Sequence, residues 1–505
     1  MIRTHNPSSL IHDILDNTAA RLPEKIAILH DDGTSTYGKL ALQSHGLASW
    51  LYRIGVRRGD RIALMLPNSI PLVLAIMAAS RLGAIFFVVN PATKPYLLEH
   101  MMEDAQPVVI LTSRQSTQDF RSNDSAKILM LEEIWETAVH CNQELPPYTH
   151  ISHDIACLIY TSGSTGKPKA IISSHENVTS AAWSIQESLR YQESDVVGNF
   201  LPLAFDVGLY QIMLTFLAGA TLALGQESHV GPGFIKKLRD WHVTGLPAVP
   251  SLVAMLTRLS QRDGQELPPI RFVTNTGARL PSTMINELHA LYPACLIYVM
   301  FGLTECKRVS ILQPDDYDWK HDSVGTPLPD TECLIIDSSG SELPSGEAGE
   351  LVVRGPTVMQ GYWHAPEMTK RRFRTWGPGQ ERVLFTGDTC MKDADGYLYF
   401  KGREDDIYKQ GGYRVSALEI EAAVEDISEM QQAALLPPIP ATGTVATLFV
   451  SGPLTLEELR SKLRERLEDY KVPPQIFIRE KLMLTSNGKI DKKVLRQELQ
   501  EEMLR

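Results

Sequence analysis

The sequence predicts an α/β protein. It has a large N-terminal domain of α/β layers with a β-rich section, then a small mobile α+β C-terminal domain. Three features predict this. Residues 36–90 alternate helix-period and strand-like apolar runs, the pattern of layered, largely parallel sheet. After about residue 320, short apolar runs are separated by Gly, Pro and Ser turns. From Ala417 onward, charged helix-period segments mix with short strands.

In chain order, "YGKLALQSHGLASWLYRIG" has helical spacing and stops at Gly55, and "RIALML" is a short strand. "SIPLVLAIMAASRLGA" is a helix entered through Pro71, and "IFFVVN" a buried strand. "VVILTS", "AKILML" and "ACLIYTS" continue the strands. "ECLIIDSSGSELPSGEAGELVVRGP" and "GYLYFKGREDDIYKQGGYRV" are strands joined by turns. The tail contributes helices "ALEIEAAVEDI" and "TLEELRSKLRERLEDY" and strands "ATLFV" and "QIFIRE". The charged "GREDD" is the candidate hinge, dividing residues 1–402 from 403–505.

Composition is that of an ordinary globular chain: 505 residues, 43% apolar and 22% charged. A net charge of -11 argues against nucleic acid as the main partner. The six cysteines are scattered without a CxxC pair, which does not suit a disulfide framework. No leader-like apolar region opens the chain, and no run of about eighteen apolar residues suggests a membrane span. A cytoplasmic location is expected. His150 and His153 have a spacing compatible with metal, but no third ligand stands nearby in sequence.

"YTSGSTGKPKA" (160–170) leaves an apolar strand and packs hydroxyls, glycines and lysines together. Backbone N–H groups of a glycine-rich turn form an anion nest, and hydroxyls add donors. Thr161, Ser162, Gly163, Ser164, Thr165, Gly166, Lys167 and Lys169 therefore suit phosphate. A Walker A loop is excluded: the glycine spacing is too short, and Pro168 stands where a magnesium-binding hydroxyl is required.

The stretch resembles the phosphate signature of the adenylate-forming superfamily, which includes acyl-CoA synthetases, nonribosomal peptide synthetase adenylation domains and luciferases. The resemblance runs along nearly the whole chain, in the family's order. It continues through "MFGLTE" (300–305), "GELVVRGPTVMQGYW" (349–363), "FTGD" (385–388), "GREDDIYKQGGYRVSALEIE" (from 402) and "TSNGKIDKK" (485–493). It implies an ATP- and Mg2+-dependent, AMP-forming ligase. The loop from Thr161 to Lys169 would hold the β- and γ-phosphates. Thr304 would contact the α-phosphate, and Glu305 would position Mg2+. Gly277, Ala278, Arg279 and Phe301 would line adenine. Asp388 would accept the ribose hydroxyls, assisted by Arg403. Lys489 would bridge the substrate carboxylate and α-phosphate as charge develops. Asp405 would be the hinge for a second half-reaction, in which Gly411 and Gly412 let a pantetheine arm pass.

"LPLAFDVGLYQ" bears on the substrate. By resemblance, Asp206 is where amino-acid-activating members place a carboxylate for the substrate ammonium. Val207, Tyr210, Thr274, Thr276, Met300, Arg308 and Val309 are the remaining pocket candidates. Asp206-Val207 with a later valine resembles proline-activating adenylation domains, and "GLTECKRVS" resembles free-standing prolyl–carrier-protein ligases of nonribosomal, secondary-metabolite biosynthesis. L-proline is therefore the expected substrate and a separate phosphopantetheinylated carrier protein the expected partner, with neither nucleic acid nor membrane. Lys307 and Arg308 complicate this. If Arg308 points into the pocket, a second carboxylate on the substrate fits; if it points away, a small apolar amino acid does. An acyl- or aryl-CoA ligase is the alternative.

Overall fold

The computed structural model describes residues 9–503 apart from 94, 115, 117–125, 146–148, 163–167, 264–265, 278, 378, 404–406, 411–412, 439–443, 468 and 486–487. The local signals act as expected. Helix Ile70–Leu82 starts at Ser69, whose side chain accepts from the Leu72 N–H. It carries Pro71 in its first turn and stops at Gly83, in the left-handed region at φ 65°. Helix Leu456–Arg464 opens on a capping box between Thr455 and Glu458. That helix stops at Arg464, short of the expected Tyr470, and Asp469–Lys471 forms a separate 3-10 turn.

Among the described residues, two large sheets build the N-terminal part. The nine-stranded sheet has a parallel core of Ile26–His30, Thr221–Leu224, Val196–Asn199, Gly245–Ala248, Phe272–Asn275 and Leu296–Phe301. The seven-stranded sheet runs from Gly361–Tyr362 through Pro168–Ser174, Ile155–Ser162, Ile85–Val88, Arg61–Met65 and Val109–Thr112 to Lys127–Met130. Successive side chains on a strand face opposite layers. Ile62 and Leu64 thus join the apolar cluster shared with the nine-stranded sheet and its helices, whereas Ala63 and Met65 pack on the other face. Met300 and Tyr298 face that shared layer, and Ile297 the opposite one.

The β-rich section is an antiparallel sheet of Glu332–Ile336, Ala348–Arg354, Glu381–Lys392 and Phe373–Trp376, with Leu398–Arg403 added on Glu381–Lys392. Its first turn is closed by Asp337 Oδ1, which accepts from the Ser339 and Ser341 N–H groups. Residues 407–503 carry their own strands and apolar clusters, one around Val415, Ile420, Leu448 and Leu463. No helix among the described residues is long and apolar enough to cross a membrane.

His150 is buried (7% exposed), whereas the His153 side chain is 71% exposed, so the two histidines do not converge. His150 instead sits between His12 and His175, with ring centroids 5.8 Å from each. Burial, reinforced by Arg81, pushes His12 down to about 2. Burial, reinforced by His150, pushes His175 down to about 3. Burial lowers His150 against the opposing pull of Asp154. The unfolded chain therefore takes up protons near pH 6.5 that the folded chain refuses, so stability is lost as pH falls below that value. Three such groups cost about 4 kcal/mol per pH unit once charged in the unfolded state. The denaturant midpoint should fall steeply between about pH 6 and about pH 4.5, and His12→Gln should flatten the profile. A variant with the wild-type slope would rule out the buried imidazoles as its cause.

Candidate active site

Strands Ile155–Ser162 and Pro168–Ser174 pair antiparallel, with Thr161 opposite Lys169. Gly163, Ser164, Thr165, Gly166 and Lys167 lie outside the described residues. The hairpin delivers the Lys169 ammonium to 4.0 Å from Glu305 Oε1 and 4.4 Å from the centre of the Tyr362 ring. Tyr362 donates to Glu305 Oε1 at 2.7 Å. Thr304 and Glu305 follow strand Leu296–Phe301, in a turn that folds back on itself. A Cβ on Gly302 would lie 2.6 Å from the Lys307 carbonyl oxygen, so only glycine lets the two segments approach.

Magnesium is held typically by one or two carboxylates plus substrate phosphates rather than by an all-protein cage. Among the described residues no cluster of three or more acidic, His or Cys ligands occurs, and Glu305 stands as a half-buried carboxylate beside the phosphate hairpin. That donor set fits Mg2+ carried with ATP.

Of the residues expected to hold the nucleotide, Phe301 packs on Phe400 with ring centroids 5.1 Å apart. Asp388 is buried, and its backbone pairs with Arg403 across the sheet. Gly277, at φ 86°, would place a Cβ 3.4 Å from Val249. Gly488, at φ 74°, would place one 3.8 Å from the same valine and 3.2 Å from Ser251 Oγ. The turn bearing Lys489 thus sits on the residue that backs the adenine segment. It is a tight hairpin: the Thr485 N–H donates to the Lys489 carbonyl at 2.7 Å, and the Gly488 N–H to the Thr485 carbonyl at 3.0 Å. Asp426 ties the same lobe down through Ser282 Oγ at 3.1 Å and Arg279 at 3.6 Å. Ala278, Asp405, Gly411 and Gly412 lie outside the described residues.

Comparison with known families decides what these elements belong to. Residues 15–363 match the AMP-binding enzyme family. The chain belongs to that family. It is 31% identical to delta-poly-L-ornithine synthetase of Acinetobacter baumannii over 97% of the chain and 37% of that protein. It is 29% identical to one of the linear gramicidin synthase proteins of Brevibacillus parabrevis over 96% of the chain, and spans 6% of that protein's length. It is also 29% identical to a long-chain-fatty-acid–CoA ligase of Salmonella typhimurium, over 97% of the chain and 94% of the ligase. The solved structure of VinN with L-aspartate is 36% identical, with TM-score 0.71, over 78% of this chain and 98% of that one. Bacillus subtilis o-succinylbenzoate coenzyme A synthetase (MenE), solved with ATP and magnesium, is 25% identical with TM-score 0.83, over 96% and 99%.

Within this AMP-binding enzyme the substrate candidates meet below the Glu305 turn. Asp206 is the first residue of helix Asp206–Ala218, so its carboxylate lies at the positive end of the helix. The Lys307 ammonium stands 3.2 Å from Asp206 Oδ2 and 4.1 Å over the Tyr210 ring. The Arg308 Nη1 donates to Thr276 Oγ1 at 2.6 Å. Lys307 is 2% exposed and Arg308 4%. Lys307 reaches inward because its backbone is in the left-handed region at φ 60°, which few non-glycine residues adopt. Burial, with Arg308 adding and Asp206 opposing, lowers Lys307 to about 7. Burial also lowers Arg308. Among the described residues its Nε has no hydrogen-bond partner, and Lys307 Nζ has its ion pair with Asp206. Unmatched buried donors of this kind are costly unless a ligand takes them.

Tyr210, Thr274, Thr276 and Met300 are buried around this set, and Val207 is half-buried in the first turn of the Asp206 helix. Val309 packs in the apolar cluster of Ile171, Cys306, Leu351 and Val353. Lys307 was not among the expected pocket residues; its adjacency to Arg308 was the only signal in the sequence.

Proposed function

We propose that this enzyme activates an amino acid with a second carboxylate, of the aspartate class, as its aminoacyl-AMP, and passes it to the phosphopantetheine thiol of a carrier protein. The observation that carries this reading is the half-buried Asp206 with the buried Lys307 and Arg308. One carboxylate matches a substrate ammonium. Two inward cations leave net positive charge in a site from which water is largely excluded. Proline brings an amine but no second anion. VinN, solved with L-aspartate, lends support.

In the first half-reaction a substrate carboxylate oxygen attacks the α-phosphorus of ATP, forming the acyl–phosphate bond as the bond to pyrophosphate breaks. Lys489 balances the charge gathering between the two anions. The hairpin with Lys169 holds the leaving phosphates, Thr304 the α-phosphate, Phe301 and Gly277 the adenine, and Asp388 with Arg403 the ribose. Glu305 would hold Mg2+, which when bound would supply neutralisation of phosphate charge. In the second half-reaction the thiol attacks the acyl carbon and AMP leaves, with Asp405 as hinge and Gly411 and Gly412 facing the arm. The two lobes divide near residue 402.

A second reading, an acyl-CoA ligase, is favoured by the match over 94% of the fatty-acid ligase and by the occupation of Asp206 by Lys307. ATP–pyrophosphate exchange separates the two. Aspartate-class substrates should exchange fastest, ahead of L-proline and of dicarboxylates lacking an amine. Exchange only with fatty or aryl acids would overturn the amino-acid reading in favour of the CoA ligase.

A further inference from the structure

Tyr362 has no role in the scheme above, yet it touches both ends of the metal–phosphate region. It is 3% exposed, on the short strand Gly361–Tyr362 that pairs with Pro168–Ser174. Its hydroxyl donates to Glu305 Oε1 at 2.7 Å, and its ring carries the Lys169 ammonium at 4.4 Å. Its placement is rigid. The Tyr362 N–H donates to Thr369 Oγ1 at 2.9 Å, and Phe373 meets the ring edge-on, with centroids 5.6 Å apart. The Glu305 backbone is held as well, its carbonyl accepting from the Met359 N–H at 2.9 Å.

Lys169 and Glu305 are separated by 4.0 Å. A carboxylate and an ammonium that close tend to collapse into a direct pair, which occupies the lone pairs a cation needs and the charge a phosphate needs. Tyr362 opposes that collapse from both sides. Its O–H occupies Oε1, leaving Oε2 without a protein partner among the described residues. Its ring face offers the ammonium an alternative seat.

The geometry points to Tyr362 as a positioning residue that keeps Glu305 open for Mg2+ and Lys169 poised for the nucleotide phosphates. This rests on the reading of Glu305 as the magnesium-positioning carboxylate. The test is calorimetric binding of ATP, without carboxylic substrate, across a Mg2+ series and in its absence. Tyr362→Phe should raise the half-saturating Mg2+ about tenfold, the scale of one hydrogen bond to a charged group, with metal-free ATP affinity unchanged. Tyr362→Leu, which removes the ring too, should also weaken metal-free ATP binding. Thr369→Val, which only loosens the tyrosine, should shift the Mg2+ response in the same direction by less. Glu305→Gln should shift it strongly, and adding Tyr362→Phe to that variant should change nothing further.

A wild-type Mg2+ response in Tyr362→Phe, or shifts that multiply in the double variant, overturns the role of Tyr362. Equal loss of metal-free and Mg2+-dependent binding in Tyr362→Phe overturns it too, because that is the signature of a packing residue. A wild-type response in Glu305→Gln overturns the Glu305 reading itself.

Discussion

Lys489→Ala is expected to slow ATP–pyrophosphate exchange by about 10²–10³-fold while ATP affinity changes little. The lysine is exposed on a hairpin closed by Thr485, and the hairpin rests on Val249 and Ser251. A long side chain on a rigid turn can reach between two anions without holding either in the ground state. Its removal then costs rate rather than binding. Equilibrium binding of ATP and single-turnover formation of the adenylate separate these terms. Gly488→Ala gives an independent check. Its φ of 74° strains any other residue, and the added methyl would press on Ser251. It should retain the lysine yet lose part of the rate by lifting the turn. Wild-type exchange in Lys489→Ala would remove the residue from the chemistry.

Arg308→Met should raise KM for an aspartate-class substrate by about 10²-fold, the range measured when one partner of a buried charged pair is truncated. Methionine keeps most of the volume and releases Thr276 rather than leaving a half-made charge. Neutral amino acids should lose little or gain, so the ratio of kcat/KM values is the readout. Equal losses for charged and neutral substrates would make Arg308 a scaffold for Thr276 only. Asp206→Ala should abolish amino-acid activation with ATP affinity preserved, although Lys307 then loses its anion. The pH dependence follows from Lys307, which is lowered to about 7 by burial. Below that pH it is an ammonium that attracts the second carboxylate; above it the attraction is lost. The kcat/KM for the acidic substrate, which reports the free enzyme, should therefore decline above about pH 7. Lys307→Met should remove that decline.

Element order was legible in the sequence because its signals are local. A strand period, a cap such as Ser69 and a glycine that must turn at positive φ are set by a few adjacent residues. The motifs "YTSGSTGKPKA", "GLTE" and "SNGK" are each contiguous, so each could be proposed as a site from pattern alone. The substrate side was legible only in part. Asp206 stood out, but nothing near it in sequence announced that Lys307 would be its partner.

The sequence by itself determined an α/β chain with a β-rich section and an α+β tail, and a run of short motifs suited to ATP. Tertiary structure alone decided which side chains those motifs meet. It turned Lys307 and Arg308 inward, through a left-handed residue and the close approach of Gly302. It packed Val309 among Ile171, Cys306 and Leu351 and brought Tyr362 onto Glu305 from 57 residues away. The physical reason is that backbone period is a local property, whereas the charge balance of a buried site is a sum over segments that only folding brings together.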